Sequence, residues 1–354
     1  MDIEFHYYMT YLIAVRAGIS PDAAATIAKS AQEVDDNHIP ISVSHGTADA
    51  YESTISQTMN ILQPHHARRI YPVFHFIPGD PDAPSAARKD GAKSPWTTTP
   101  NSKLANIMLD TALQSGDLYR IGASAHAYAD TWAHQNFLGK DDVLNEMPAA
   151  GMATIIKNRI AMLRIGHALA GHQPDIPDLI WLDDRLVSPV IINAERFLDA
   201  AVHLFRKFRA FARGPNATDD DSGLVSLIHD LRADMGSPRP VSSPREERIE
   251  RYQRRALAPE YGARAIPEYR EGEWSDAAFV EQRGDLLTRI EVYIAEHAGP
   301  AGDILAFGTR MPCTWKNPEQ HRKTDWYRFQ EGIKAHLDEC WDILQQRLPD
   351  IASR

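Results

Sequence analysis

The chain has 354 residues, 43% of them apolar, enough to bury one large core or two modest ones. Its net charge of -10 argues against an extended nucleic-acid surface, which would be basic. Two cysteines, Cys313 and Cys340, are too few for a disulfide framework or a thiolate zinc cluster, and no apolar run approaches the roughly 18 residues of a membrane span.

The opening stretch, MDIEFHYYMTYLIAVRAG, lacks the basic and apolar regions of a secretory signal and reads as cytoplasmic. Ten of the fifteen histidines fall by residue 172, which directs the search for chemistry to the N-terminal half. SPDAAATIAKSAQEVDD predicts a helix with Ser20 as its N-cap and Pro21 at its first position. Ala24, Ile27, Ala28, Ala31 and Val34 recur at helical spacing. Asp35 and Asp36 stand at its C-terminal end, where the helix dipole disfavours acids and a nearby cation would remove the conflict.

Residues 37–101 hold eight prolines and read as a loop-rich insertion, a functional wall rather than a spacer. Within it RIYPVFHFIPGD is an apolar run interrupted by His75, and His65 and His66 read as loop residues. TPNSKLANIMLDTALQ predicts a helix, followed by LYRIGASAHAYADTWAHQNFLG as a second one ending near Gly139. MATIIKNRIAMLRIGHALAGH predicts another, ending at Gly171. SPVIINAERFLDAAVHLFRKFRAFARG predicts a long amphipathic helix, with Ser188 and Pro189 at its start and Gly214 after its end.

Residues 236–273 turn Pro- and Arg-rich and read as a polar arm, lid or solvated linker with one short charged helix. Two further helices are expected near 275–297 and 324–347. The resulting expectation is an all-α fold without internal repeats. Residues 1–235 would form a metal-binding helical domain and 236–273 the arm, with helices of 274–354 packing on the same domain.

His126, Asp130 and His134 lie four apart, on one stripe of a helix. Three such ligands span roughly 12 Å, too long for one ion. The span suits two ions about 3.5 to 4 Å apart, bridged by the middle carboxylate. Ile121, Ala123, Ala125, Ala127, Ala129, Trp132, Ala133 and Phe137 make this helix apolar nearly all round, hence buried. A buried carboxylate needs a partner or a metal. His6, Asp35, His75, His167 and His172 are further candidate ligands. Glu195, Asp199 and His203 repeat the spacing of four, but interleaved Arg196, Arg206 and Lys207 mark a solvated face. The His229-Asp230 dipeptide lies apart from the other candidates.

Several stretches together, among them EFHYYMTY, SAQEVDDN, FHFIPG, TTPNS and HAYADTWAHQNF, resemble an uncharacterised family of bacterial and fungal proteins, over roughly the first 175 residues. More distantly, the order of histidines and aspartates resembles the superfamily of zinc-dependent phospholipases C and single-strand nucleases. That resemblance implies a phospholipase C-like helical bundle with a three-zinc cluster that hydrolyses phosphoesters. His6, Asp35, His75 and the pair His126 and Asp130 match the superfamily's ligand order. Asp130 would bridge, and His134 would serve a second ion. The superfamily expects a further His-x-x-x-Asp pair, but His167 is followed at that spacing by Gly171, leaving His172 or Asp175 as substitutes. It also uses a free N-terminal amine as a ligand, a place Asp2 or Glu4 would have to take here.

The expected function is a metal-dependent hydrolase acting on a phosphoester of a small molecule or lipid. The cofactor would be two or three zinc ions, with iron or manganese as alternatives. Asp130 would bridge the ions, Asp36 would orient the water or act as general base, and a third ion or a cationic side chain such as Arg120 or Arg164 would assist the leaving group. No long nucleic acid and no membrane span is expected, and the sequence does not speak to oligomeric state. The alternatives are a helical di-iron-type oxidase, which would want Glu-x-x-His pairs that the candidate helices lack, and a non-catalytic binding protein stabilised by metal.

Overall fold

The computed structural model describes residues 1–58, 64–148, 164–214, 222–281 and 310–348. The chain opens with a π-helical turn, Glu4–Met9, that runs directly into α1, Thr10–Ala17, and stops at the left-handed Gly18 (φ 105°). α2, Pro21–Asp36, begins as expected: the Ser20 side chain accepts from the Ala23 amide at 3.4 Å. Two short strands follow, β1 (Ile41–Val43) and β2 (Tyr51–Glu52), then α3 (Pro64–Phe74), α4 (Lys103–Ser115) and α5 (Leu118–Ala133). β3 (Ile180–Leu182) and β4 (Val190–Ile192) lead into the long α6, Asn193–Arg213. α7 (Ser222–Met235), α8 (Arg245–Ala256), α9 (Glu273–Ala278), β5 (Phe279–Glu281), β6 (Met311–Trp315) and α10 (Asp325–Arg347) complete the described elements.

The fold is mixed α/β and corrects the all-α, phospholipase C-like expectation. Four strands form a sheet in the order β2-β1-β6-β5, parallel between β1 and β6 and antiparallel elsewhere, while β3 and β4 form a separate hairpin. The physical reason is scale. Strands of two to five residues carry too little alternation to register as a period. The central pair joins Ile41 to Met311, partners that local pattern cannot connect.

Other boundaries also differ. α5 ends at Ala133 rather than near Gly139, with His134 as its C-cap. Val190–Ile192, placed by sequence in the long helix, is β4. His65 and His66 lie in α3, not in a loop. Of the helix expected over 152–172, residues 149–163 lie outside the described residues, and 164–172 form turns. Of the helix expected near 275–297, α9 and β5 account for the start and the remainder lies outside the described residues.

The core is centred on α5, buried almost throughout, with α2 across one face and α6 across another. Gly122 lets α2 and α5 come this close: a Cβ there would strike the Ile27 carbonyl and the Ser30 side chain. That approach is what sets Asp35 of α2 beside His126 and Asp130 of α5.

The 236–273 segment is not a solvated linker. Arg248, Tyr252, Ala256, Tyr261 and Ile266 are all buried. Its tail crosses α2, with Lys29 donating to the Arg270 carbonyl at 3.0 Å and packing over the Tyr269 ring. No helix among the described residues is long and apolar enough to cross a membrane.

Candidate metal centre

Five segments deliver donor atoms to one place. His6 comes from the π-helical turn, Asp35 from the end of α2, and His75 from just past α3. His126 and Asp130 come from the last turns of α5, and His134 caps it. His167 and Asp175 come from the turns that follow residue 164. Three groups of potential ligands result: His6, His126 and Asp130; Asp35, His75 and His126; His134, His167 and Asp175. In each, the donor atoms lie within 4.8 Å of one another. The first two groups share His126, whose Nδ1 is taken by the Ala31 carbonyl, so they compete for its one remaining nitrogen.

The proton positions are fixed from outside the cluster. His126 Nδ1 donates to the Ala31 carbonyl at 2.8 Å and His75 Nε2 to the Ser56 carbonyl at 2.9 Å. His134 Nδ1 donates to the His75 carbonyl at 2.8 Å and His167 Nδ1 to the Gly171 carbonyl at 2.9 Å. A carbonyl only accepts, so each neutral ring carries its proton on the outer nitrogen and turns a lone pair inward. This is the outer-shell arrangement of histidines that ligate metals.

When these rings are neutral, the inward atoms face one another without a proton. His126 Nε2 and His75 Nδ1 are 3.2 Å apart. Asp130 Oδ2 lies 3.2 Å from the first and 3.4 Å from the second, and Asp35 Oδ1 3.6 and 3.8 Å away. On the other side, Asp130 Oδ1 lies 3.2 Å from His6 Nε2 and contacts the Met1 amine. Among the described residues, both ring nitrogens of His6 and Asp130 Oδ2 are buried without a hydrogen-bond partner. Asp130 therefore stands between two donor sets, one on each oxygen. In the third set, Asp175 Oδ1 lies 3.2 Å from His134 Nε2 and 3.3 Å from the Met1 amine, and His167 Nε2 lies 3.6 Å from Asp175 Oδ2.

The charges point the same way. Burial lowers the pKa of His6 to about 3 and of His126 and His134 to about 4, so these rings are neutral near pH 7. Burial opposes ionisation of Asp130 and Asp175, but the surrounding imidazoles and amine outweigh it and hold both well below the usual carboxylate range. Burial also lowers the Met1 amine, yet Asp130, Asp175 and Asp35 raise it on balance to about 11. Burial and then the charge of Asp130 push the Asp35 carboxyl up. Among the described residues, the ionised Asp130 and Asp175 face the single Met1 ammonium, and Asp35 stands beside them as a third acid that is harder to ionise. Asp35 (29% exposed) and His167 (20%) connect the cluster to solvent, while Phe76 stacks on His134 and closes one side.

Not every expected residue arrives. His172 is exposed and outside all three groups. Asp36 accepts from the Tyr269 hydroxyl and from Gln32 at 3.3 Å and belongs to none of them. Arg120 pairs with Glu339, and Arg164 with Asp141 and Glu146, so neither guanidinium faces the cluster. Asp175, which the sequence offers only as a substitute, is fully engaged. It is hard to find because His167 reaches it through turns, not along one helix face.

Over residues 1–344 the chain matches the model of a family of unknown function, DUF6765. The chain belongs to the DUF6765 family. The match extends far beyond residue 175, where the resembling motifs stop, and includes the Arg-rich arm and α10. No curated protein and no solved structure matches this DUF6765 chain.

Proposed function

We propose that this chain is a metal-dependent hydrolase, with two or three zinc ions, acting on a phosphoester of a small molecule or lipid. The observation that carries the metal is the pair of opposed imidazole nitrogens, His126 Nε2 and His75 Nδ1, 3.2 Å apart with both protons held elsewhere. A cation, or a proton shared between the two nitrogens, relieves that arrangement. Nitrogen and carboxylate donors without thiolates suit zinc, and the ligand order resembles that of the zinc-dependent phospholipases C and nucleases.

In this reading Asp35, His75 and His126, with Asp130 beside them, would hold one ion, and His134, His167 and Asp175 a second. His6 and Asp130 Oδ1, beside the Met1 amine, offer a third position. Bound zinc would supply Lewis acidity and lower the pKa of water at the site towards 7. Asp35, the exposed carboxylate of the set, meets an incoming substrate and can take a proton to solvent. Phe76 shields the His134 side from water. Asp36, tied to Tyr269, secures the end of α2 that aims Asp35.

The solvent-connected edge leaves room for water or substrate at a ligand position, which favours catalysis over a structural site whose coordination is filled by four protein ligands. The test is hydrolysis of a panel of phosphomonoesters and phosphodiesters by the zinc-loaded chain and by Asp130→Ala. The reading predicts turnover that Asp130→Ala abolishes. Inactivity of the loaded chain on the entire panel defeats the phosphoesterase reading, and iron in place of zinc would favour oxidase chemistry.

A further inference from the structure

The Arg-rich arm carries a side chain that the proposed chemistry does not use. Arg248 of α8 is 2% exposed, and its two carboxylate partners, Glu4 and Asp178, are fully buried. Its Nε and Nη2 donate to Glu4 at 2.8 and 2.6 Å, a two-pronged contact that lysine cannot make. Its Nη1 donates to Asp178 Oδ1 at 3.2 Å and to the Ser242 hydroxyl at 2.9 Å. Asp178 is fixed further by the Ser242 and Ser243 hydroxyls, at 2.6 and 2.7 Å, and by the Ser243 amide at 2.9 Å. A second tie joins Arg245 to Asp2 at 3.3 Å.

These partners occupy informative positions. Glu4 opens the π-helical turn that carries His6 two residues later. Asp178 stands three residues after Asp175, at the foot of β3. The two segments are remote in sequence, and the arm joins them through one guanidinium. A bare buried ion pair rarely adds net stability over an apolar equivalent, so its value here is geometric.

We infer that Arg248 is a positioning residue for the metal centre: it clasps the His6 turn and the Asp175 turn together, so that the arm sets the spacing between the first and third ligand groups. The inference rests on the metal-centre reading for its purpose, though not for its geometry.

The test uses the 354-residue chain, Arg248→Met, Arg248→Lys and the double variant Glu4→Gln/Arg248→Met. In the metal-free proteins, hydrogen exchange is followed over residues 2–9 and 173–180. The clasp predicts roughly tenfold or faster exchange in both segments of Arg248→Met, with α5 still protected, as the local opening of a released unit. Cobalt(II) titration then predicts an affinity loss of about 10- to 100-fold and an altered visible spectrum, the scale seen when outer-shell partners are removed. Arg248→Lys falls between, and the double variant, which leaves Glu4 uncharged, regains part of the affinity. Exchange that rises only in the arm, or in just one of the two segments, overturns the clasp. If Arg248→Met does not fold, the double variant supplies the same exchange comparison and decides the clasp in the same way. A wild-type chain that takes up no cobalt overturns the metal-centre reading, and the exchange comparison still decides the clasp.

Discussion

Among the described residues, α5 and α6 both carry acid and histidine at intervals of four, and of the two α5 alone contributes to the candidate metal centre. On α5, His126, Asp130 and His134 are buried, and four further segments converge on them. On α6, Glu195 and Asp199 are exposed and His203 is half-buried against Trp132. Asp199 is 58% exposed, its carboxylate accepts from Trp132 Nε1 at 2.6 Å, and it lies 3.8 Å from His203. Spacing alone therefore specifies a stripe. What turns a stripe into a centre is removal from water, backbone carbonyls that fix the imidazole protons, and donors from elsewhere in the chain.

Replacing the middle carboxylate of each stripe breaks the comparison hardest. Asp130→Asn should cut metal content from two or three ions to about one or none, because it removes the shared ligand. Asp199→Asn should leave it unchanged. Elemental analysis of both proteins decides, and equal metal content would erase the distinction.

Chelation comes next. Metal that binds only the folded chain stabilises it by about 4 kcal/mol at a free concentration a thousand times its Kd. Thermal melts before and after exhaustive chelation should show a fall in Tm that added zinc reverses, and Asp199→Asn should show the same fall.

Gly122→Val attacks the helix contact rather than a ligand. It should cost about 1–3 kcal/mol by overpacking α2 against α5 and should weaken zinc binding by drawing Asp35 away from His126. A variant that melts lower but binds zinc as tightly would show that the contact serves stability alone.

A subtler contrast lies in titration. The unfolded chain protonates its histidines near pH 6.5, whereas burial holds folded His126 and His134 neutral down to about pH 4. Their contribution to stability is thus full above pH 6.5 and declines as pH falls towards 4. In the metal-free folded protein, NMR at pH 5.5 should find both rings neutral. Finding them protonated would mean that the pocket is wetter than its geometry implies.

The smallest effect is expected from Tyr269→Phe. It removes the hydroxyl donated to Asp36 at about 1 kcal/mol and should leave metal content intact. A loss of metal would return Asp36 to the centre.

The same contrast explains what the sequence could say. The ligands on α5 are legible because a helix converts a spacing of four into adjacency, and the alanines around them announce burial. His6, Asp35 and His75 are legible as candidates through the resemblance and through apolar neighbours or unfavourable end charges. Asp175 and the fate of His172 depend on the path of the turns beyond residue 164, which no period encodes. The mixed sheet escapes because its strands are short and its central partners are remote. The arm misleads because its arginines look solvated until Glu4 and Asp178 are seen to receive Arg248.

The central claim is that this pocket exists to hold cations. Its most direct test is elemental analysis of the wild-type chain, purified without added metal and then titrated with zinc. A cation-holding pocket predicts about two to three equivalents of tightly held zinc. A protein that emerges metal-free and takes up no zinc, with its fold intact, would contradict it.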